Sequence, residues 1–178
     1  MTRQAVLLRG INLAGRNRVP MAELREALAA EGFEDVQTYL QSGNAVVTTA
    51  LSAAKLARKV ERILGDRFGL DIAVVARSRA QLAQVVRHNP LGDVATNPSL
   101  YLVTFLDGAV APAVVKKLEE VAAPGERVVV AGREIYAWHP NGAGRSKLWS
   151  LLSGRGLGVT ATARNWTTVT KLLELAER

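Results

Sequence analysis

The chain has 178 residues, 48% of them hydrophobic, which suits one large domain or two small ones and excludes a disordered chain. It contains no cysteine, which excludes disulfides, thiolate metal sites and cysteine nucleophiles. The formal net charge is +7, with 23 basic residues against 16 acidic ones; such a surplus either coats a solvated surface or meets an anionic partner, and only its position along the chain decides.

The elements follow in order. Residues 4–9 read as a strand. Their apolar run, 5–8, is too short for a signal peptide or a membrane span, so the expected compartment is the cytoplasm, with no membrane partner. After a polar loop, Pro20 suits the first position of a helix with an apolar face of Met21, Leu24 and Leu28, stopped by Gly32. Residues 36–40 and 45–48 flank Ser42-Gly43-Asn44 as a hairpin. Ser52 is placed to cap a helix striped by Leu56, Val60, Ile63 and Leu64, ended by Gly69. A strand over 70–76 closes the first β-α-β-β-α-β unit.

A connecting helix over 78–87 and a linker bracketed by Asn89-Pro90 and Asn97-Pro98 lead to a strand over 100–106. Val114, Val115, Leu118 and Val121 stripe the next helix, closed by Pro124-Gly125. Residues 127–131 and 134–138 form a hairpin around Gly132-Arg133. A short helix over 146–152, a strand over 159–163 and a last helix from Thr167 complete the chain. The order of elements repeats. Gly69-Leu70-Asp71-Ile72-Ala73-Val74-Val75-Ala76-Arg77 also echoes Gly156-Leu157-Gly158-Val159-Thr160-Ala161-Thr162-Ala163-Arg164. The predicted fold class is α+β: two tandem ferredoxin-like βαββαβ halves, 1–88 with the connecting helix and 99–178 with a C-terminal helix. Val6-Leu7-Leu8 and Leu100-Tyr101-Leu102-Val103 are apolar on both faces of their strands. Both faces therefore need cover, from the other half or from a second copy of the chain as a homodimer. Leu7 and Leu102 are expected to be fully buried.

Four polar clusters are candidates for function. The loop from Arg9 to Pro20 holds Arg9, Asn12, Arg16, Asn17 and Arg18, with no acid, and opens onto a helix N-terminus that favours anions. The turn Gln41-Ser42-Gly43-Asn44 is the second, although Gly and Asn are ordinary turn residues. In a βαββαβ unit the end of the first strand and the hairpin tip share a sheet edge, so these two should be neighbours. The third runs from His139 to Lys147, with Arg145, Ser146 as N-cap and Lys147; it lacks the spacing of a P-loop. The fourth is Arg164-Asn165-Trp166-Thr167-Thr168, where capping and a Trp166 core anchor suffice as explanation. The third and fourth should share an edge of the second half. A pseudo-twofold packing of the halves would bring both pairs together. His88 and His139 are isolated, so no metal or cofactor is expected, and neither Ser42 nor Ser146 sits in a nucleophile elbow.

At these clusters the sequence resembles a bacterial family catalogued as domain of unknown function sixteen-ninety-seven. The matching segments are Leu7-Leu8-Arg9-Gly10-Ile11-Asn12, Asn17-Arg18-Val19-Pro20-Met21, Thr38-Tyr39-Leu40-Gln41-Ser42-Gly43-Asn44, Ser146-Lys147-Leu148 and Arg164-Asn165-Trp166. The family usually has Asn where this chain has Thr167 and a hydroxyl residue where it has Ala163, so no role carries over to those two. The resemblance implies a shared fold and the importance of the four clusters, and it brings no activity.

The functional expectation is binding of a phosphate-bearing ligand, a nucleotide or nucleic acid, in a basic cleft between the halves. One alternative is an enzyme acting on a small anionic metabolite, with Arg9 and Lys147 as electrostatic stabilisers. Another is a structural or oligomerising module whose clusters are caps. Aromatics make up only 5% of the chain, which speaks against a base-stacking platform.

Overall fold

A computed structural model describes all residues, Met1–Arg178. The first β-α-β-β-α-β run consists of β1 (Thr2–Leu8), α1 (Met21–Ala30), β2 (Glu34–Tyr39), β3 (Asn44–Thr49), α2 (Ala53–Phe68) and β4 (Val74–Ser78). Its sheet order is β2-β3-β1-β4, antiparallel throughout. After α3 (Arg79–His88), the run repeats as β5 (Tyr101–Leu106), α4 (Pro112–Val121), β6 (Arg127–Ala131), β7 (Glu134–Trp138), α5 (Lys147–Ser153) and β8 (Ala161–Asn165), followed by α6 (Trp166–Glu177). The second sheet has the same order, β6-β7-β5-β8. The chain divides into two compact units, Met1–Gln84 with Lys171–Arg178, and Val85–Thr170. Both are ferredoxin-like. No helix is long and apolar enough to cross a membrane.

Strand alternation explains each core. In the first unit Val6, Leu8, Ala45, Val47, Val74 and Ala76 join Leu24, Leu28, Leu56, Val60 and Leu64 on the helix side. The alternate residues of the same strands, Ala5, Leu7, Val46 and Val75, are also buried, with Leu7 at 0% exposure. In the second unit Leu106, Ile135 and Ala137 pack with Leu118, Leu148 and Leu152. Tyr101, Val103, Phe105 and Tyr136 are buried on the other face.

Leu102 departs from expectation, being half-buried. It shares the helix-side parity of Leu106 but lies outside that core. The helical cover there is shorter, because α5 is Lys147–Ser153 where α2 is Ala53–Phe68. Pro20 is the N-cap of α1 rather than its first helical residue. The fourth strand of each unit starts later than expected, at Val74 instead of residue 70 and at Ala161 instead of residue 159. Ile72 and Leu157 sit in their cores without joining the ladder. Their apolar character marks core contact, not β pairing.

Candidate functional site

The first polar loop is built, not slack. Five of its residues take left-handed φ values: Gly10, Asn12, Ala14, Gly15 and Asn17. Ala14 and Gly15 form the centre of a miniature hairpin in which the Arg16 amide donates to the Leu13 carbonyl at 2.8 Å; two left-handed central residues are the signature of a type I′ turn. Asn12 anchors the rest. Its Oδ1 accepts from the Val19 amide at 2.9 Å, and its Nδ2 donates to the Val19 carbonyl at 3.0 Å and the Gln41 carbonyl at 2.7 Å. Asn17 Nδ2 donates to the Gly10 carbonyl at 3.0 Å. Ile11 and Val19 are buried and pin the base of the loop.

The two asparagines are thus framework. What the framework presents is Arg16 and Arg18, both exposed and without an ion pair, while Arg9 at the start of the loop is half-buried. Leu13 in the loop (62%) and Leu40 in the turn (54%) are exposed as well. The edge is not wholly basic. Exposed Asp71 lies two residues before Ala73, whose carbonyl accepts from the Arg9 amide at 2.9 Å.

The hairpin turn stands against this loop, as the topology requires. The Leu7↔Asn44 pairing puts the end of β1 beside the start of β3, and the Leu8 amide donates to the Gly43 carbonyl at 2.8 Å. Gly43 has φ +89°, and a Cβ there would meet Leu8 Cβ at 2.8 Å and Ile11 Cδ1 at 2.9 Å. Only glycine fits. Asn44 is fully buried and donates to the Tyr39 carbonyl at 2.9 Å and to Ser42 Oγ at 3.0 Å. Gln41 and Ser42 are exposed on the turn. One composite of loop and turn therefore contains Arg9, Asn12, Arg16, Asn17, Arg18, Gln41, Ser42 and Asn44.

In the second unit the remaining candidates leave one sheet edge, on either side of the start of β5, where Tyr101 pairs with Trp138 and Leu102 with Asn165. Ser146 caps α5, accepting from the Trp149 amide at 3.0 Å. Asn165 Oδ1 accepts from the Thr168 amide at 2.9 Å and caps α6. Arg145 and Lys147 are exposed and make no ion pair. Arg164 is different: at 8% exposure its guanidinium donates to Thr162 Oγ1 at 2.8 Å and the Ala163 carbonyl at 2.7 Å. Burial pushes its pKa down to about 10.

The repeat gives Arg164 a counterpart. Arg77, at 2% exposure, opposes Ala5 on β1 as Arg164 opposes Val103 on β5. A second feature had no signal in the sequence. Glu126, just before β6, bonds His139 Nδ1 at 2.9 Å through Oε1, and accepts from the Ala123 amide at 2.9 Å through Oε2. Burial alone would raise the Glu126 carboxyl. Hydrogen bonds from Ser146, His139 and the Ala123 amide outweigh it, so its pKa lies below the ordinary value. Ser146 thus makes two contacts at once, donating to the Glu126 carboxylate and accepting from the Trp149 amide as the cap of α5. No group of three or more metal-ligating side chains gathers in the chain.

Fold and site together define a protein of duplicated ferredoxin-like architecture with an arginine-bearing loop locked onto a hairpin turn in its first unit. The chain belongs to the family described as Protein of unknown function (DUF1697), which it matches over residues 1–136. That match ends before the Ser146 and Arg164 segments. No curated protein matches the chain. Among solved structures it is similar to the conserved bacterial protein SP0830 from Streptococcus pneumoniae, at 25% identity and a TM-score of 0.80, covering 98% of each chain.

Proposed function

We propose that the loop 9–20 and the turn 40–43 bind a phosphate-bearing ligand, a nucleotide or nucleic acid. The observation that carries this reading is the division of labour within the loop. Asn12 and Asn17 spend their side chains on the backbone, while Arg16 and Arg18 are held out without an acidic partner. A loop fixed by three bonds to one asparagine loses little entropy when a ligand docks, so its arginines are pre-organised. Guanidinium groups fork onto phosphate oxygens. The first turn of α1 adds backbone amides, since Pro20 supplies no side-chain cap.

Fluorescence anisotropy with a labelled oligonucleotide and a labelled nucleotide, over a salt series, tests this. The Arg16→Ala, Arg18→Ala double variant should weaken binding, and for an oligonucleotide it should reduce the salt slope by about 1 per arginine removed. A steep slope identifies a nucleic acid and a shallow one a nucleotide. Unchanged affinity for both probes in the double variant sinks the proposal.

A further inference from the structure

The Glu126–His139 pair lies outside the arginine loop and does not depend on its reading. His139 follows β7 directly and is 0% exposed. Its amide donates to the Leu100 carbonyl at 3.1 Å, and its carbonyl accepts from the Gly142 amide at 2.9 Å. Its ring meets Trp149 edge-on, with centroids 6.3 Å apart. Glu126 accepts from three donors: the Ala123 amide, Ser146 and His139 Nδ1. An acceptor so engaged keeps a proton on Nδ1, which makes Nε2 of the neutral ring a lone-pair acceptor. No protein group reaches Nε2, although it is buried.

A histidine that only braced the loop would need Nδ1 alone. The unmatched acceptor at Nε2 calls for a partner from outside the chain. The segment 140–145 runs on from His139, and it is lightly held. The Gly142 amide and the bond from the Ser146 amide to the Ala143 carbonyl are its internal ties, and Gly142 and Gly144 have no atom within 4 Å of where a Cβ would stand. Arg145 and Lys147 flank Ser146, which is bonded to the same carboxylate as His139.

We infer that His139 Nε2 is the proton- or hydrogen-bond-accepting atom of a second site, in the second unit, reached when the segment 140–145 moves aside. The ligand carries an acidic O–H beside an anionic oxygen: the O–H meets Nε2 and the charge meets Arg145 and Lys147. Hydrogen phosphate is the smallest such species, and phosphomonoesters carry the same group. Glu126 is a positioning residue that sets the tautomer.

Diethyl pyrocarbonate reads the site directly, because it acylates the lone pair of a neutral imidazole and His88 and His139 are the only histidines. Exposed His88 is the internal reference. Modification of each residue is followed by peptide mass spectrometry in the folded protein, with and without inorganic phosphate. His139 should be modified under conditions where circular dichroism shows a native fold. Phosphate should slow its reaction at least severalfold relative to His88, and Arg145→Ala with Lys147→Ala should abolish that protection. Glu126→Gln should slow the modification of His139 without changing that of His88. An inert His139 while His88 reacts to completion, or reaction that appears only with global unfolding, would make His139 a structural brace and overturn the site. Modification that phosphate does not slow would overturn it as well.

Discussion

The two units share one topology and elaborate opposite ends of it. In the first, the β1–α1 connection is the long arginine-bearing loop 9–20, while the β3–α2 connection is only 50–52. In the second, the β5–α4 connection shrinks to 107–111, and β7–α5 expands to 139–146. The short counterpart of the arginine loop carries an acid instead. Asp107 accepts from the Thr160 amide at 2.9 Å and its own amide returns a bond to the Thr160 carbonyl at 3.0 Å, which closes that end. A ferredoxin-like unit offers loops at both ends of its sheet, and each copy here has invested in one and closed the other. Equivalent position in the repeat is therefore a guide to scaffold, as with Arg77 and Arg164, and a poor guide to the site.

The comparison can be broken first at the core. Leu7→Ala should cost about 2–5 kcal/mol in urea denaturation, as expected for a fully buried leucine. Half-buried Leu102→Ala should cost clearly less; equal losses would mean that Leu102 is packed as fully as Leu7. The hairpin turns come next. Gly43→Ala adds backbone strain to overlap with Leu8 and Ile11 and should cost about 3 kcal/mol. Gly132→Ala, also at positive φ but facing open space, should cost about 1 kcal/mol. Similar values for the two would remove the claim that the first turn is wedged against its loop.

Two titrations sharpen the picture with smaller effects. Glu126 has a lowered pKa in the folded state, so its stabilisation is present above the ordinary glutamate range and is lost as pH falls through the folded value. Glu126→Gln should therefore reduce stability at neutral pH and flatten its decline in acid; a parallel decline in both proteins would contradict the assignment. Burial raises Tyr101 to about 12, with a partly offsetting bond from the Leu91 amide, and burial with the nearby Glu134 charge raises Tyr136 as well. Stability from these phenols is complete below the ordinary tyrosine value and is lost as pH rises towards the folded values. Of the three tyrosines, two should thus ionise late in ultraviolet titration of the native protein. Early ionisation of all three would show that the second unit opens below those values.

Local signals made most of the scaffold legible. The hairpin around Gly132-Arg133 was readable to the residue, because a two-residue turn interrupts two β-branched or aromatic runs. The starts of β4 and β8 were not, since Leu70, Ile72 and Val159 look like strand and serve the core. In the site, the adjacency of loop and turn followed from topology alone. The roles of Asn12 and Asn17 did not, because an asparagine that binds a ligand and one that locks a left-handed backbone are the same letter. Glu126 and His139 were out of reach for another reason: the whole β6–β7 hairpin separates them in sequence, and only its folding brings acid and imidazole together.

The last helix carries a consequence for how the chain matures. α6 starts in the second unit and ends in the first, where the Leu175 carbonyl accepts from Arg3 Nε at 3.1 Å. The second unit is one uninterrupted stretch, Val85–Thr170, whereas the first needs Lys171–Arg178 to be whole. On the ribosome, domains usually settle in the order in which they emerge. Here the half translated first must wait: its closing segment, Lys171–Arg178, is made only after the whole of the second unit.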